Sequence, residues 1–200
     1  LAPVVASGIV AQEINSVATD KGIDLLVMST HGRSGVGRML IGSVANEVLQ
    51  GSEIPVLLVR PRESLSDGPG FDRLLVTLDG SGEAEQVLPY ARALAMNFNS
   101  EILFLSVPDD IQAEGQLEQV EGYLEGVATS FRGWGLKTRS LVTGSDPAHT
   151  IVEMAGSSSV DLIMLATHGR GGRERMMFGS VADTVLRHSQ QPIFLVPVRH

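Results

Sequence analysis

Two loops in this chain carry the residue types that hold phosphate, and they are copies of one another. The later loop reads Thr167-His168-Gly169-Arg170-Gly171-Gly172-Arg173, followed at Gly179-Ser180-Val181-Ala182 by the start of an apolar-periodic run. The earlier reads Thr30-His31-Gly32-Arg33 and then Gly42-Ser43-Val44-Ala45. Glycines allow successive backbone N–H groups to turn toward one point and form a concavity lined by donors. A helix opening at Gly179-Ser180 adds its free first-turn N–H groups and the positive end of its dipole. Ser180 contributes a hydroxyl, and Arg170, Arg173 and Arg175 gather positive charge beside the loop in a chain of net charge −8. The chemistry these residues suit is the grip of a phosphate chain.

The duplication extends on both sides of each loop. Asp24 to Leu49 aligns without a gap on Asp161 to Leu186. Core packing alone would repeat the apolar pattern, but it would not repeat Thr-His-Gly-Arg and Gly-Ser-Val-Ala. A duplicated site is the economical reading.

The elements around the later loop alternate between strand and helix signals, as in a parallel sheet. The apolar run Leu74 to Leu78 predicts a first strand that ends at Asp79-Gly80, and Ile102 to Val107 a second. Lys137 to Val142, Leu162 to Leu165 and Ile193 to Val198 predict the third, fourth and fifth. Between them, Val87 to Ala95, Leu117 to Phe131, Pro147 to Ala155 and Val181 to Arg187 recur at helical spacing. The fold class is α/β, with an open, doubly wound, five-stranded parallel sheet. Residues 71–200 form one complete domain, residues 62–70 a breaker-rich linker, and residues 1–61 the C-terminal half of a second copy. In that half, Val4-Val5 corresponds to the end of the third strand and Ile9 to Val17 to the third helix. Leu25 to Met28 and Val56 to Val59 correspond to the fourth and fifth strands. Such a half-unit would expose a bare apolar edge where its first strand belongs. In open parallel sheets ligands settle beyond the carboxyl ends of the strands where strand order reverses, so Asp79 should meet the Thr167-His168-Gly169 turn.

Composition narrows the class further. Hydrophobic residues make up 43% of the 200, enough to bury a core. The negative net charge argues against nucleic acid or an anionic membrane as partner. Cysteine is absent, which removes disulfides and thiolate metal sites and fits a reducing, cytoplasmic setting. No apolar run approaches the roughly 18 residues of a membrane span, and no charged-then-apolar leader opens the sequence. The start at Leu1 suggests a fragment or a processed product.

The spacing of the glycines resembles the signature of the universal stress protein family: Gly, two residues, Gly, nine residues, then Gly-Ser or Gly-Thr. The later copy matches at Gly169, Gly179 and Ser180, with Ala166 in the first place; the earlier matches at Gly32, Gly42 and Ser43, with Ser29 there. The resemblance covers nearly the whole chain, in the manner of tandem members of the family with the first domain truncated. It implies an ATP site in which Asp79 and the backbone at Val107 frame the adenosine. Ala166, His168, Gly169 and Arg170 would line the middle, with Gly179, Ser180 and Val181 around the phosphates. It further implies magnesium or manganese with the nucleotide, and a homodimer or pseudo-dimer through the fifth strand. The implied role is a nucleotide-dependent sensor or interaction module in the stress response, not an enzyme beyond weak ATPase activity. The earlier loop at Gly32, Gly42 and Ser43 lacks counterparts of Asp79 and Val107, so alone it offers a phosphate cradle and no more.

Plainer readings compete at each position. Ser180 could simply cap its helix, and Asp79 could be a turn residue before Gly80. His31 and His168 have no adjacent Ser–Asp pair and no second metal ligand, so loop packing suits them better than catalysis. Met39, Met176, Met177 and Phe178 read as packing. A Walker lysine is missing, Leu40 spoils the dinucleotide pattern at Gly35 and Gly37, and there is neither a nucleophile elbow nor a histidine pair for zinc. Two alternatives remain: a nucleotide-free dimerisation module, and an adenylating enzyme that cleaves ATP. The latter needs a serine-glycine loop after the first strand, for which Leu78-Asp79-Gly80-Ser81-Gly82 is only a faint echo.

Overall fold

The structure is a computed structural model that describes residues 2–29, 41–59, 70–108, 115–144, 146–167 and 178–198. Seven strands form one sheet: β1 (Leu26–Ser29), β2 (Val56–Val59), β3 (Arg73–Thr77), β4 (Glu101–Ser106), β5 (Lys137–Val142), β6 (Leu162–Ala166) and β7 (Ile193–Val196). Their spatial order is β1-β2-β7-β6-β3-β4-β5. All neighbours are parallel except β2 and β7, which run antiparallel with Leu57 opposite Phe194. The five strands of the complete unit thus occupy the order β7-β6-β3-β4-β5, and the direction of winding reverses at β3.

The inner strands are apolar on both faces because helices cover both. Every residue of β6 and β7 is buried, the pattern that two-sided coverage requires. On one face α6 (Pro147–Ser157) and α7 (Ser180–His188) pack with α2 (Ser43–Gly51) over a core that includes Leu49, Leu58, Leu75, Ile163, Val185 and Leu195. On the other, α4 (Leu88–Phe98) and α5 (Gln116–Gly133) cover Leu74, Val76, Phe104, Leu162, Met164 and Phe194. The first of these cores is shared by the half-unit and the complete unit, so the β2–β7 seam is a packed junction as well as a ladder of hydrogen bonds.

At the amino ends of the strands Glu101 joins three elements. Arg73 donates from Nε and Nη2 to its Oε2 at 3.1 and 2.9 Å, and Arg139 Nε lies 2.7 Å from its Oε1. Arg73 Nη1 also donates to the Ser158 carbonyl at 2.5 Å. Burial pushes the Glu101 carboxyl up, but the Arg73 hydrogen bond and the charges of Arg139 and Arg73 outweigh it. The group lies below the ordinary glutamate value of 4.5.

Several expectations need correction. Val4-Val5 forms no strand: residues 2–9 are irregular or bent, apart from the helix boundary, and Val5 is 97% exposed. A strand needs a neighbour to take its hydrogen bonds, and the strand that would lie beside it has no counterpart in this sequence. The last strand stops at Val196 and not at Val198, because Pro197 has no N–H to give the ladder. A four-residue helix, α3 (Gly82–Glu85), was not expected; it is capped by the Ser81 hydroxyl, which accepts from the Ala84 N–H at 3.1 Å. Helix α1 (Val10–Asp20) begins one residue later than predicted and runs three further, packing on α2, where Asn15 Nδ2 donates to the Val48 carbonyl at 3.1 Å.

The half-unit ends the sheet. Among the described residues β1 has β2 as its one neighbour, and Val27 is 61% exposed. Beside it lies a cavity of about 360 Å³ lined by Val4, Ala6, Ile14, Val17, Ile23 and Leu26 among others. Among the described residues, no helix is long and apolar enough to cross a membrane.

Two consequences can be measured. Leu58 is buried in the shared core, so Leu58→Ala should lower the unfolding free energy by about 2–5 kcal/mol in a denaturant titration; a loss below about 1 kcal/mol would mean the seam is not a packed core. Because folding lowers the pKa of Glu101, its contribution is complete above 4.5 and is lost as pH falls through the folded value. Glu101→Gln should therefore give a flatter stability profile below pH 4.5 than the parent chain, and superimposable acid limbs would contradict this.

Candidate functional site

All five parallel strands of the complete unit point their carboxyl ends to one edge of the sheet, and the winding reverses at β3. β3 pairs with β6 on one side, with Val76 opposite Met164, and with β4 on the other, with Thr77 opposite Leu105. The segments that leave these ends are therefore neighbours: Leu78-Asp79-Gly80 after β3, Val107 after β4 and Thr167 after β6. Leu78 N–H donates to the Leu105 carbonyl at 2.9 Å, which carries the ladder one residue beyond β3.

Thr167 fastens the exit of β6. Its N–H donates to the Val196 carbonyl at 2.9 Å, its carbonyl accepts from the Gly179 N–H at 2.8 Å, and its hydroxyl accepts from the Val198 N–H at 3.2 Å. The two ends of the glycine loop are thereby held together, and Phe178, buried in the core, anchors the residue before α7.

The start of α7 bears on the reading of Ser180 as a cap. Gly179, not Ser180, occupies the cap position, with φ −58° and ψ 151°, and among the described residues no side chain caps the helix. Ser180 is the first helical residue and is exposed. The earlier copy repeats this geometry: Gly42 has φ −57° and ψ 148°, and no side chain caps α2. The reading of Ser180 as a plain cap thus fails. One donor is spent within the protein, since the Gly179 N–H goes to the Thr167 carbonyl.

Asp79 is half-buried, and its Oδ1 accepts from both the backbone N–H of Ser81 at 2.9 Å and the Ser81 hydroxyl at 2.5 Å. Gly80, at φ 78°, makes the reversal that brings Ser81 back onto Asp79. Asp79 is a turn residue in this sense, as the plainer reading holds, and it stands just beyond the carboxyl end of β3, where the winding reverses. Val107 and Val181 are half-buried and pack on the same core cluster, while Ala166 is buried at the end of β6 opposite Val196. Gly42 and Ser43 lie at the start of α2. His168, Gly169 and Arg170, along with Gly171, Gly172, Arg173, Arg175, Met176 and Met177, lie outside the described residues, as do Gly32, His31 and Met39.

Sequence reasoning missed the work of Ser81. It entered only as an echo of a pyrophosphate-binding serine, whereas its hydroxyl is engaged at once by Asp79 and Ala84. The available signal was the pair Asp79-x-Ser81, since an aspartate readily accepts from the residue two places on.

The sequence profile of the universal stress protein family matches residues 2–60 and 70–197, so it spans both copies. The chain belongs to the universal stress protein family. A universal stress protein of Methanocaldococcus jannaschii is 30% identical over 139 residues, covering 63% of this chain and 82% of that protein. One from Mycobacterium tuberculosis is 25% identical over 183 residues, covering 86% of this chain and 61% of the relative. The chain thus spans about three fifths of that mycobacterial protein. Among solved structures, a universal stress protein from Archaeoglobus fulgidus superposes with TM-score 0.71 at 23% identity, over 94% of this chain and 65% of the other. Two others share the fold: an Archaeoglobus fulgidus member solved with dAMP (TM-score 0.52, 18% identity, 65% and 99% covered) and a member solved with cAMP (TM-score 0.53, 18% identity, 64% and 98% covered).

Proposed function

We propose that this universal stress protein binds ATP in the crevice between the ends of β3 and β6. In this reading it acts as a nucleotide-dependent sensor or interaction module with little hydrolysis of its own. The observation that carries the reading is the start of α7. A helix opened by glycine, capped by no side chain and preceded by a strand-to-loop clamp at Thr167 offers its first-turn amides to an anion. Asp79 and Val107, at the ends of the neighbouring strands, suit the nucleoside end. The solved relatives that carry dAMP and cAMP support adenine as the base. Among the described residues no group of three or more His, Asp or Glu side chains could hold a metal ion. A magnesium or manganese ion would therefore take its oxygens chiefly from the phosphates and water. The reading gives no residue the part of general base, so turnover is expected to be slow without a partner.

The antiparallel β2–β7 seam supports a pseudo-dimer within one chain over a homodimer through the fifth strand, because β7 already has a neighbour on each side. The Gly179 N–H bonded to Thr167 favours a second reading, a nucleotide-free module in which the loop only closes the fold.

Calorimetry with ATP and magnesium separates the two: saturable binding is expected, and its absence at millimolar nucleotide would favour the second. Gly179 has a φ that any residue adopts, so Gly179→Val should keep the thermal midpoint near that of the parent. Its isopropyl group would crowd the phosphates and weaken ATP by tenfold or more, about 1.4 kcal/mol per decade. Equal affinity in a folded variant would remove the α7 start from the site.

A further inference from the structure

We infer that Ser81 is a positioning residue, one that sets the orientation of the Asp79 carboxylate and through it the affinity for the nucleoside half of the ligand. This rests on the reading above that Asp79 faces the adenosine. Two donors of one residue converge on a single oxygen: the Ser81 N–H at 2.9 Å and its hydroxyl at 2.5 Å both reach Asp79 Oδ1. Two such bonds hold the carboxyl group more firmly than one. Ser81 is itself held from behind. Its Oγ accepts from the Ala84 N–H at 3.1 Å as the cap of α3, and Ala84 is buried in the core beneath α4. α3 in turn lies against β6, the strand that leads into the glycine loop. The hydroxyl is therefore donor to the site and acceptor from the scaffold at once, a double role that threonine can fill and alanine cannot.

A carboxylate already fixed loses no rotamer freedom when a ligand arrives, and a mobile one does. The effect should be confined to the part of the ligand that meets Asp79. Inorganic tripolyphosphate would reach the α7 start without touching it.

The test is calorimetry of the full chain with ATP and with tripolyphosphate, using Ser81→Ala, Ser81→Thr, Asp79→Ala and the double variant Ser81→Ala/Asp79→Ala. Ser81→Ala should weaken ATP by about three- to tenfold and leave tripolyphosphate unchanged, with Ser81→Thr restoring parental affinity. In the Asp79→Ala background, removing the serine hydroxyl should cost nothing further, since the two act as one unit. The inference is overturned if Asp79→Ala weakens ATP but Ser81→Ala does not. It is also overturned if Ser81→Ala weakens tripolyphosphate as much as ATP, which would mark a general loosening of the loop. A parent chain that binds no ATP would instead refute the nucleotide reading on which the inference stands.

Discussion

In the complete unit, a parallel sheet covered by helices on both faces has one consequence on which everything else here depends: its five strands all end on the same side. Each crossover helix returns the chain to the amino edge, so every carboxyl end and every loop that follows it opens at the opposite edge. Winding reverses at β3, the place where open parallel sheets leave a crevice for ligands. Asp79, Val107 and Thr167 are far apart in sequence and adjacent in space for this reason alone. Burial of β6 and β7 on both faces holds the arrangement in place, and the ion-paired Glu101 ties the strands at their other ends.

Thr167 ties together the two ends of the segment that joins β6 to α7. By accepting the Gly179 N–H and the Val198 N–H while donating to Val196, this one residue joins the strand, the helix start and the segment after β7. A glycine at the cap position gives the first turn of α7 no acceptor from its own cap side chain. The same cap dihedrals recur at Gly42, where β1, among the described residues, has β2 alone beside it.

Strands were legible because two-sided burial turns them into continuous apolar runs, with Leu74, Leu75 and Val76 or Leu162 to Leu165 leaving little choice. Their bounds shifted by a residue or two, and at Pro197 for a covalent reason. α3 was not legible: four residues are too few for a helical period, and its cap lies in a side-chain bond between Ser81 and Ala84. Val4-Val5 misled because apolar residues alone do not make a strand without a neighbour to take their hydrogen bonds. At the site, types and spacing named the strand ends and the helix start correctly as places in the fold. Which donor was spent inside the protein, and that Ser81 engages Asp79, are matters of side-chain and loop geometry that no periodicity carries.

The account centres on the first-turn amides of α7 as the phosphate grip. Backbone amide chemical shifts recorded as ATP and magnesium are added to the isotope-labelled chain test this most directly. Large changes are expected at Ser180 and Val181, with accompanying changes at Asp79 and Val107. Changes confined to the half-unit, around its cavity beside β1, with α7 unmoved at saturation, would contradict it.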